Sequence, residues 1–308
     1  MKLPCNIKNI SQCLIKWAKN SIISINYYCK INFTKIDAKC GIKAKAAIYP
    51  QWRLLIYIKL IILYYVSFKC KIFLINIIIN ILKKKSGEMM DYPKKLLEEV
   101  KERSKGMRLE GINSGSGPKH PLLMIVGEAP GRNEIVNNIP FSGDAGKELD
   151  KSLNQTGLSR DQVYITSAVR SRPFSVKKIF SKRENKEVIK RPTRKPTKKE
   201  VLAHAPFLDY EISYADPQII VALGNTGLER LLGPGHKISA EHGKVIENTP
   251  ILELNTAKDG YVWSKKKYTV IPEYHPAAVF YNRKLSDDIV KDWEVIKPYI
   301  DKERENNE

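Results

Sequence analysis

Leu122-Leu123-Met124-Ile125-Val126 runs directly into Gly127-Glu128-Ala129-Pro130-Gly131-Arg132-Asn133-Glu134, and this junction decides the fold. An apolar run of five residues that ends in turn residues reads as a strand buried on both faces. Two glycines and a proline then force a tight turn at its C-terminal end, where open α/β sheets hold their ligands. The turn lacks the Lys-Ser/Thr of a P-loop and the third glycine of a dinucleotide fingerprint. By itself it is compatible with a structural turn or a phosphate-holding loop.

Outward from that junction, residues 163–169, 219–223 and 269–271 read as three further buried strands. Residues 147–153, 199–214, 228–232 and 286–299 read as helices between and after them. This alternation predicts an α/β fold, a three-layer domain with a central four-stranded parallel sheet flanked by helices, spanning residues 90–308. Residues 177–199 interrupt it with two prolines and eleven Lys or Arg against Glu184 and Glu187. They are expected to form an inserted basic loop, either solvated or contacting phosphates through Lys177, Lys178, Arg191 and Arg194.

The first third is of another character. Residues 1–88 hold sixteen Lys or Arg against Asp37 and Glu88, a net of +14 out of +20, in a background of Ile, Asn, Tyr and Phe. No apolar period persists, and Lys59, Lys69 and Lys71 break the longest apolar runs short of the roughly 18 to 20 residues that a membrane span needs. A+T-rich codons encode these residue types, so the segment is expected to be spurious translated non-coding DNA or a disordered basic extension, with the natural start at Met89 or Met90. A membrane anchor or a basic nucleic-acid arm is the alternative. No membrane span is expected in residues 90–308. All five cysteines, Cys5, Cys13, Cys29, Cys40 and Cys70, fall in the first third. The remaining domain therefore has no thiol for a disulfide or thiolate cluster, which suits a cytoplasmic protein.

Two more motifs follow in order. Pro140-Phe141-Ser142-Gly143-Asp144-Ala145-Gly146 has small residues that let a backbone approach a ligand closely, and an aromatic ring on which a base could stack. Tyr274-His275-Pro276-Ala277-Ala278 follows the last strand directly. Taken alone, Phe141 would be a core residue and His275 a structural one.

Together the three motifs resemble those of the family 4 uracil-DNA glycosylases of bacteria and archaea, with their GEAPG loop, PFxGxAG segment and terminal HPAA motif. The similarity runs from about Leu122 to Asn282 and takes in Val163-Tyr164-Ile165-Thr166, Ser171-Arg172-Pro173 and Ala205-Pro206-Phe207-Leu208. It implies an enzyme of DNA base-excision repair that hydrolyses the N-glycosidic bond of uracil, or of another deaminated base, and leaves an abasic site. The alternative is a non-catalytic DNA-binding relative of the same fold. A nucleotide-binding protein would leave Phe141 and His275 without a purpose.

The resemblance also implies roles. Glu128 and Glu134 become candidates to orient or deprotonate water, and His275 to donate a hydrogen bond to pyrimidine O2. Gly127, Ala129 and Phe141 would frame and stack the base, while Ser142, Gly143, Pro276 and Ala277 become candidate DNA contacts. Two departures stand out. Ser167 occupies the place of the asparagine that reads uracil, and a hydroxyl is a less selective reader than an amide. Ser171, His204 and the cysteine-free region before Leu122 replace the ligands of a four-iron cluster, so neither a cluster nor any other metal or cofactor is expected. Ordinary packing must then tie the segment around Arg103 to the sheet. A monomer is expected.

Overall fold

A computed structural model describes residues 89–181 and 185–306. The expected extension over residues 1–88, and with it every cysteine, lies outside the described residues. In chain order the elements begin with α1 (Lys94–Arg103), β1 (Leu109–Glu110), β2 (Leu123–Gly127), α2 (Arg132–Asn137), α3 (Asp144–Gln155) and β3 (Val163–Ser167). Then come β4 (Arg172–Pro173), β5 (Lys177–Ser181), β6 (Lys186–Lys190), α4 (Lys198–Ala215), β7 (Ile219–Leu223) and α5 (Gly224–Leu232). The chain ends with α6 (Ile238–Glu241), β8 (Ile246–Leu254), β9 (Tyr261–Glu273), a 3-10 turn (Pro276–Phe280) and α7 (Leu285–Asn306).

The central sheet has the order β3-β2-β7-β9-β8. Its first four strands are parallel, and Gly127 lies beside Ser167 while Leu223 lies beside Glu273. The four strands thus end level, and the loops leaving those ends share one rim. Alternate side chains of each strand face opposite layers. Met124, Val126, Ile220 and Ala222 pack with Val100, Phe207, Leu208 and Leu228 of α1, α4 and α5. Leu123, Ile125, Val221 and Ile271 pack with Leu149, Leu153, Trp293 and Ile296 of α3 and α7. Three layers result, as the strand-helix alternation predicts.

The sheet differs from the expected one at its edge. A fifth strand, β8, runs antiparallel to β9, which is 13 residues long where only its buried end is legible in the sequence. The pattern of β8 is broken by register shifts between Ile246 and Thr249 and between Pro250 and Leu252, so its alternation does not survive in the sequence. The first half of β9 pairs with β8 alone and keeps Lys265 and Lys267 in solvent.

Residues 177–199 are also not the loop expected. β5 and β6 form an antiparallel hairpin, with Lys177 opposite Lys190 and Ser181 opposite Lys186. Its ladder needs no buried face, so the hydrophobic pattern that marks other strands is missing here.

Where the resemblance would place cluster ligands, the chemistry is different. Arg103 at the end of α1 donates from Nε to Ala203 O at 3.2 Å, from Nη2 to Leu202 O at 2.9 Å and from Nη1 to Lys258 O at 2.9 Å. His204 is buried, and its Nδ1 accepts the Arg170 backbone N–H at 3.2 Å. Burial pushes its pKa down to about 3. Ser171, next in the chain after Arg170, is buried and offers a hydroxyl. A guanidinium, a committed imidazole and a hydroxyl do not fit a four-thiolate cluster. Among the described residues no group of three or more His, Cys, Asp or Glu side chains converges on one point. Arg103, together with the Tyr92–Phe207 stack at 4.3 Å and the 2.6 Å bond from Tyr92 Oη to Glu211, joins α1 and the residues just before it to α4.

Candidate active site

The rim of the sheet holds a cavity of about 210 Å³ lined by Ala129, Pro130, Gly131, Glu134, Phe141, Ser167 and His275, with Asn113, Pro140 and Ala145 completing it. Each of the three sequence motifs contributes, because each follows or faces the C-terminal end of a parallel strand.

The loop after β2 opens α2, whose cap is Gly131. The Glu134 carboxylate turns back to accept the Gly131 backbone N–H, and also receives that of Phe141, so it bridges the first two motifs. Burial raises its pKa above the ordinary carboxylate range, against the pull of these two hydrogen bonds. Glu128 points elsewhere. It accepts Thr226 Oγ1 at 2.5 Å, at the start of α5, and does not line the cavity. Of the two carboxylates taken from the sequence, the structure brings only Glu134 to the cavity.

Phe141 is buried with φ of 52°, a left-handed backbone that a bulky residue seldom adopts. Two glycines make room for it. A Cβ at Gly127 would come within 2.8 Å of the ring, and a Cβ at Gly146 within 1.6 Å of the Phe141 carbonyl oxygen. The ring lies near-parallel to that of His275, with centroids 5.6 Å apart and 29° between planes.

His275 ends the extended chain leaving β9 and caps the 3-10 turn. Its Nδ1 accepts the Ala277 N–H at 3.2 Å. This fixes the neutral tautomer with hydrogen on Nε2, and burial pushes the pKa down to about 4. Near neutral pH the ring is therefore a donor without charge. Ser167 is less free. Its hydroxyl donates to Val169 O at 3.1 Å and accepts from the fully buried Arg170 guanidinium.

The other expected contacts divide. Gly143 caps α3, Pro276 is buried at the first position of the 3-10 turn, and Ala277 is committed through its N–H to His275. The Ser142 hydroxyl is buried without a hydrogen-bond partner among the described residues. Lys177, Lys178 and Arg191 are exposed on and after the hairpin. Arg194 is not available to a phosphate, since it forms a two-pronged pair with Glu200, at 2.8 and 2.6 Å. Sequence reasoning misses Asn113, because one asparagine in a polar stretch carries no chemical signal until the chain returns to the sheet edge. A larger hollow of about 320 Å³, lined by Lys195, Val201, Arg230 and Tyr261 among others, contains no residue of the three motifs.

Residues 114–297 match the family model of the uracil DNA glycosylase superfamily. The chain belongs to that superfamily. A Type-4 uracil-DNA glycosylase of Sulfurisphaera tokodaii is 34% identical over 186 residues, covering 59% of this chain and 72% of that protein. A Type-4 uracil-DNA glycosylase of Thermotoga maritima is 31% identical over 191 residues, covering 61% of this chain and 83% of that protein. A DNA polymerase of Bacillus phage SP01 is 27% identical over 188 residues, which make up 17% of that protein. The superfamily and its α/β fold agree with what the three ordered motifs imply.

Proposed function

We propose that this domain hydrolyses the N-glycosidic bond of uracil in DNA, as the names of its Type-4 relatives describe for them. The observation that carries the reading is the neutral His275 ring, with its hydrogen left on Nε2, lining one cavity with Phe141 and Glu134. A base must leave the stack to reach such a cavity. As the bond from C1′ to the base breaks, its electron pair moves onto the base, and charge grows at O2. A neutral, pre-aimed donor stabilises that charge more than it stabilises the ground state. Water adds its oxygen to C1′, and Glu134, a carboxylate lining the cavity whose pKa burial raises, is our candidate to orient it and take its proton. Phe141 stacks the base.

The exposed Lys177, Lys178 and Arg191 are suited to phosphates flanking the extruded nucleotide. Arg132, in the helix that follows the first motif, donates to Arg191 O at 3.3 Å and so ties the base of the hairpin to the cavity loop.

The test is release of base by the full chain from single- and double-stranded oligonucleotides that contain one uracil, hypoxanthine or xanthine. Uracil release that disappears in His275→Ala supports the reading. Folded protein that releases no base overturns it and favours a DNA-binding relative without turnover.

A further inference from the structure

The segment before β2 pairs antiparallel with the free edge of β3. Ser116 N donates to Ile165 O at 3.0 Å and Ile165 N to Ser116 O at 2.7 Å. Because the two stretches run in opposite directions, each step back from Ser116 is a step forward toward the end of β3. Three residues back, Asn113 N donates to Arg170 O at 2.7 Å. Asn113 therefore arrives at the same corner of the cavity as Ser167, from the other side.

Its side chain is only 1% exposed and lines the cavity. The amide cannot be turned over. Nδ2 donates to Glu134 O at 3.1 Å and, more weakly, to Asn138 Oδ1 at 3.4 Å. The latter oxygen itself accepts Ser114 N at 3.2 Å, so both partners of Nδ2 are acceptors. Both of these bonds use Nδ2, so Oδ1 is the amide atom that remains to accept a hydrogen from the cavity. A ligand N–H in the cavity would satisfy that oxygen. Ser167 has less to offer, since its hydroxyl proton goes to Val169 O and the Arg170 guanidinium takes one of its two lone pairs.

We infer that Asn113 Oδ1 reads the extruded base by accepting the N3–H of uracil. The inference rests on the glycosylase reading above. It assigns to the segment before β2 the selection that the resemblance assigns to the position of Ser167. The chemistry selects one way. Uracil carries a hydrogen at N3, whereas cytosine carries a lone pair there, which would face the lone pairs of Oδ1 and leave two acceptors unpaired.

The test compares single-turnover release of uracil and of N3-methyluracil from the same oligonucleotide by the full chain. The parent is expected to prefer uracil by about 100-fold or more, because N3-methyluracil has no hydrogen to donate. In Asn113→Ala that ratio should fall by about 10-fold or more, while Ser167→Ala should keep it. Asn113→Ser, which keeps a short polar group near Glu134 O but loses the oxygen reaching into the cavity, should behave like Asn113→Ala and serves if the alanine variant does not fold. Equal slowing of both bases in the Asn113 variants would mean that Asn113 only positions Glu134, and would overturn the inference. Collapse of the ratio in Ser167→Ala alone would overturn it in favour of Ser167. A parent that releases no uracil overturns the proposed function and the inference with it, whereas uracil release with an unchanged ratio removes only the inference.

Discussion

The Arg160 guanidinium holds two successive carbonyl oxygens of the second motif, Pro140 O at 2.9 Å and Phe141 O at 2.8 Å, while Asp150 holds its Nε at 2.6 Å. Those carbonyls flank the left-handed backbone of Phe141. Arg160 comes from outside every motif, yet it clamps the turn that carries the stacking ring. Arg160→Ala should destabilise the fold by about 1 to 3 kcal/mol, the range for hydrogen bonds to a charged group. It should also lower base release at saturating DNA. Urea unfolding and single-turnover kinetics check the two effects, and an unaltered rate would show that Phe141 holds its place unaided.

His275→Ala should lower the rate of base release by about 100- to 1000-fold, the usual consequence of removing one preorganised donor. Binding to undamaged DNA should change little. With the folded pKa at about 4, the ring stays neutral across neutral pH, so its own titration should limit release only toward pH 4. A fall in rate near pH 6.5 that vanishes in the variant would contradict the assigned tautomer.

His275 and His204 also set acid stability. Their folded pKa values, about 4 and about 3, lie below the reference value of 6.5. The unfolded chain therefore takes up protons first as pH falls below about 6.5. Stability should be lost progressively from there toward pH 3 to 4. Denaturant midpoints between pH 7 and pH 4 measure it, and His204→Gln should flatten the slope.

Glu273 works in the opposite direction. This fully buried carboxyl at the end of β9 is pushed up to about 9, by burial first and then by Asp292. Its folded pKa lies above the unfolded one, so its contribution is fully favourable below about 4.3 and is lost as pH rises toward 9. Glu273→Gln should remove this penalty, on the order of 3 kcal/mol at pH 7. The variant's gain over the parent should grow between pH 5 and pH 8 in thermal unfolding, and a gain independent of pH would show that Glu273 is ionised in the fold.

Lys177 and Arg194 have the same charge in one basic stretch and should behave differently. Lys177→Ala with Lys178→Ala should weaken DNA binding and reduce the salt slope by about 1 for each phosphate no longer neutralised. Arg194→Ala should leave that slope nearly intact and unfold more easily by about 1 to 3 kcal/mol, since the buried Glu200 then keeps only the Thr197 backbone N–H. DNA affinity measured from low to moderate salt, beside urea midpoints, separates the two.

The sequence by itself determined the parallel strands, the layers and the three motifs, since apolar runs buried on both faces and glycine turns are local signals. His275, Phe141 and Glu134 are brought together as their motifs imply, because level strand ends put their loops on one rim. Tertiary structure alone decided the rest. β8 and the β5–β6 hairpin are held by ladders whose bonds leave no hydrophobic period. Glu128 and Glu134 are chemically alike, six residues apart in one loop-helix segment, and only packing turned the first to Thr226 and the second to the cavity. Arg194 and Lys177 are equivalent as letters until Glu200 takes one of them. Asn113 gained its place through an edge pairing with β3 some 50 residues on, as Ser116 meets Ile165. Long-range pairing partners of this kind are fixed by the folded geometry and leave no mark on the residues around them.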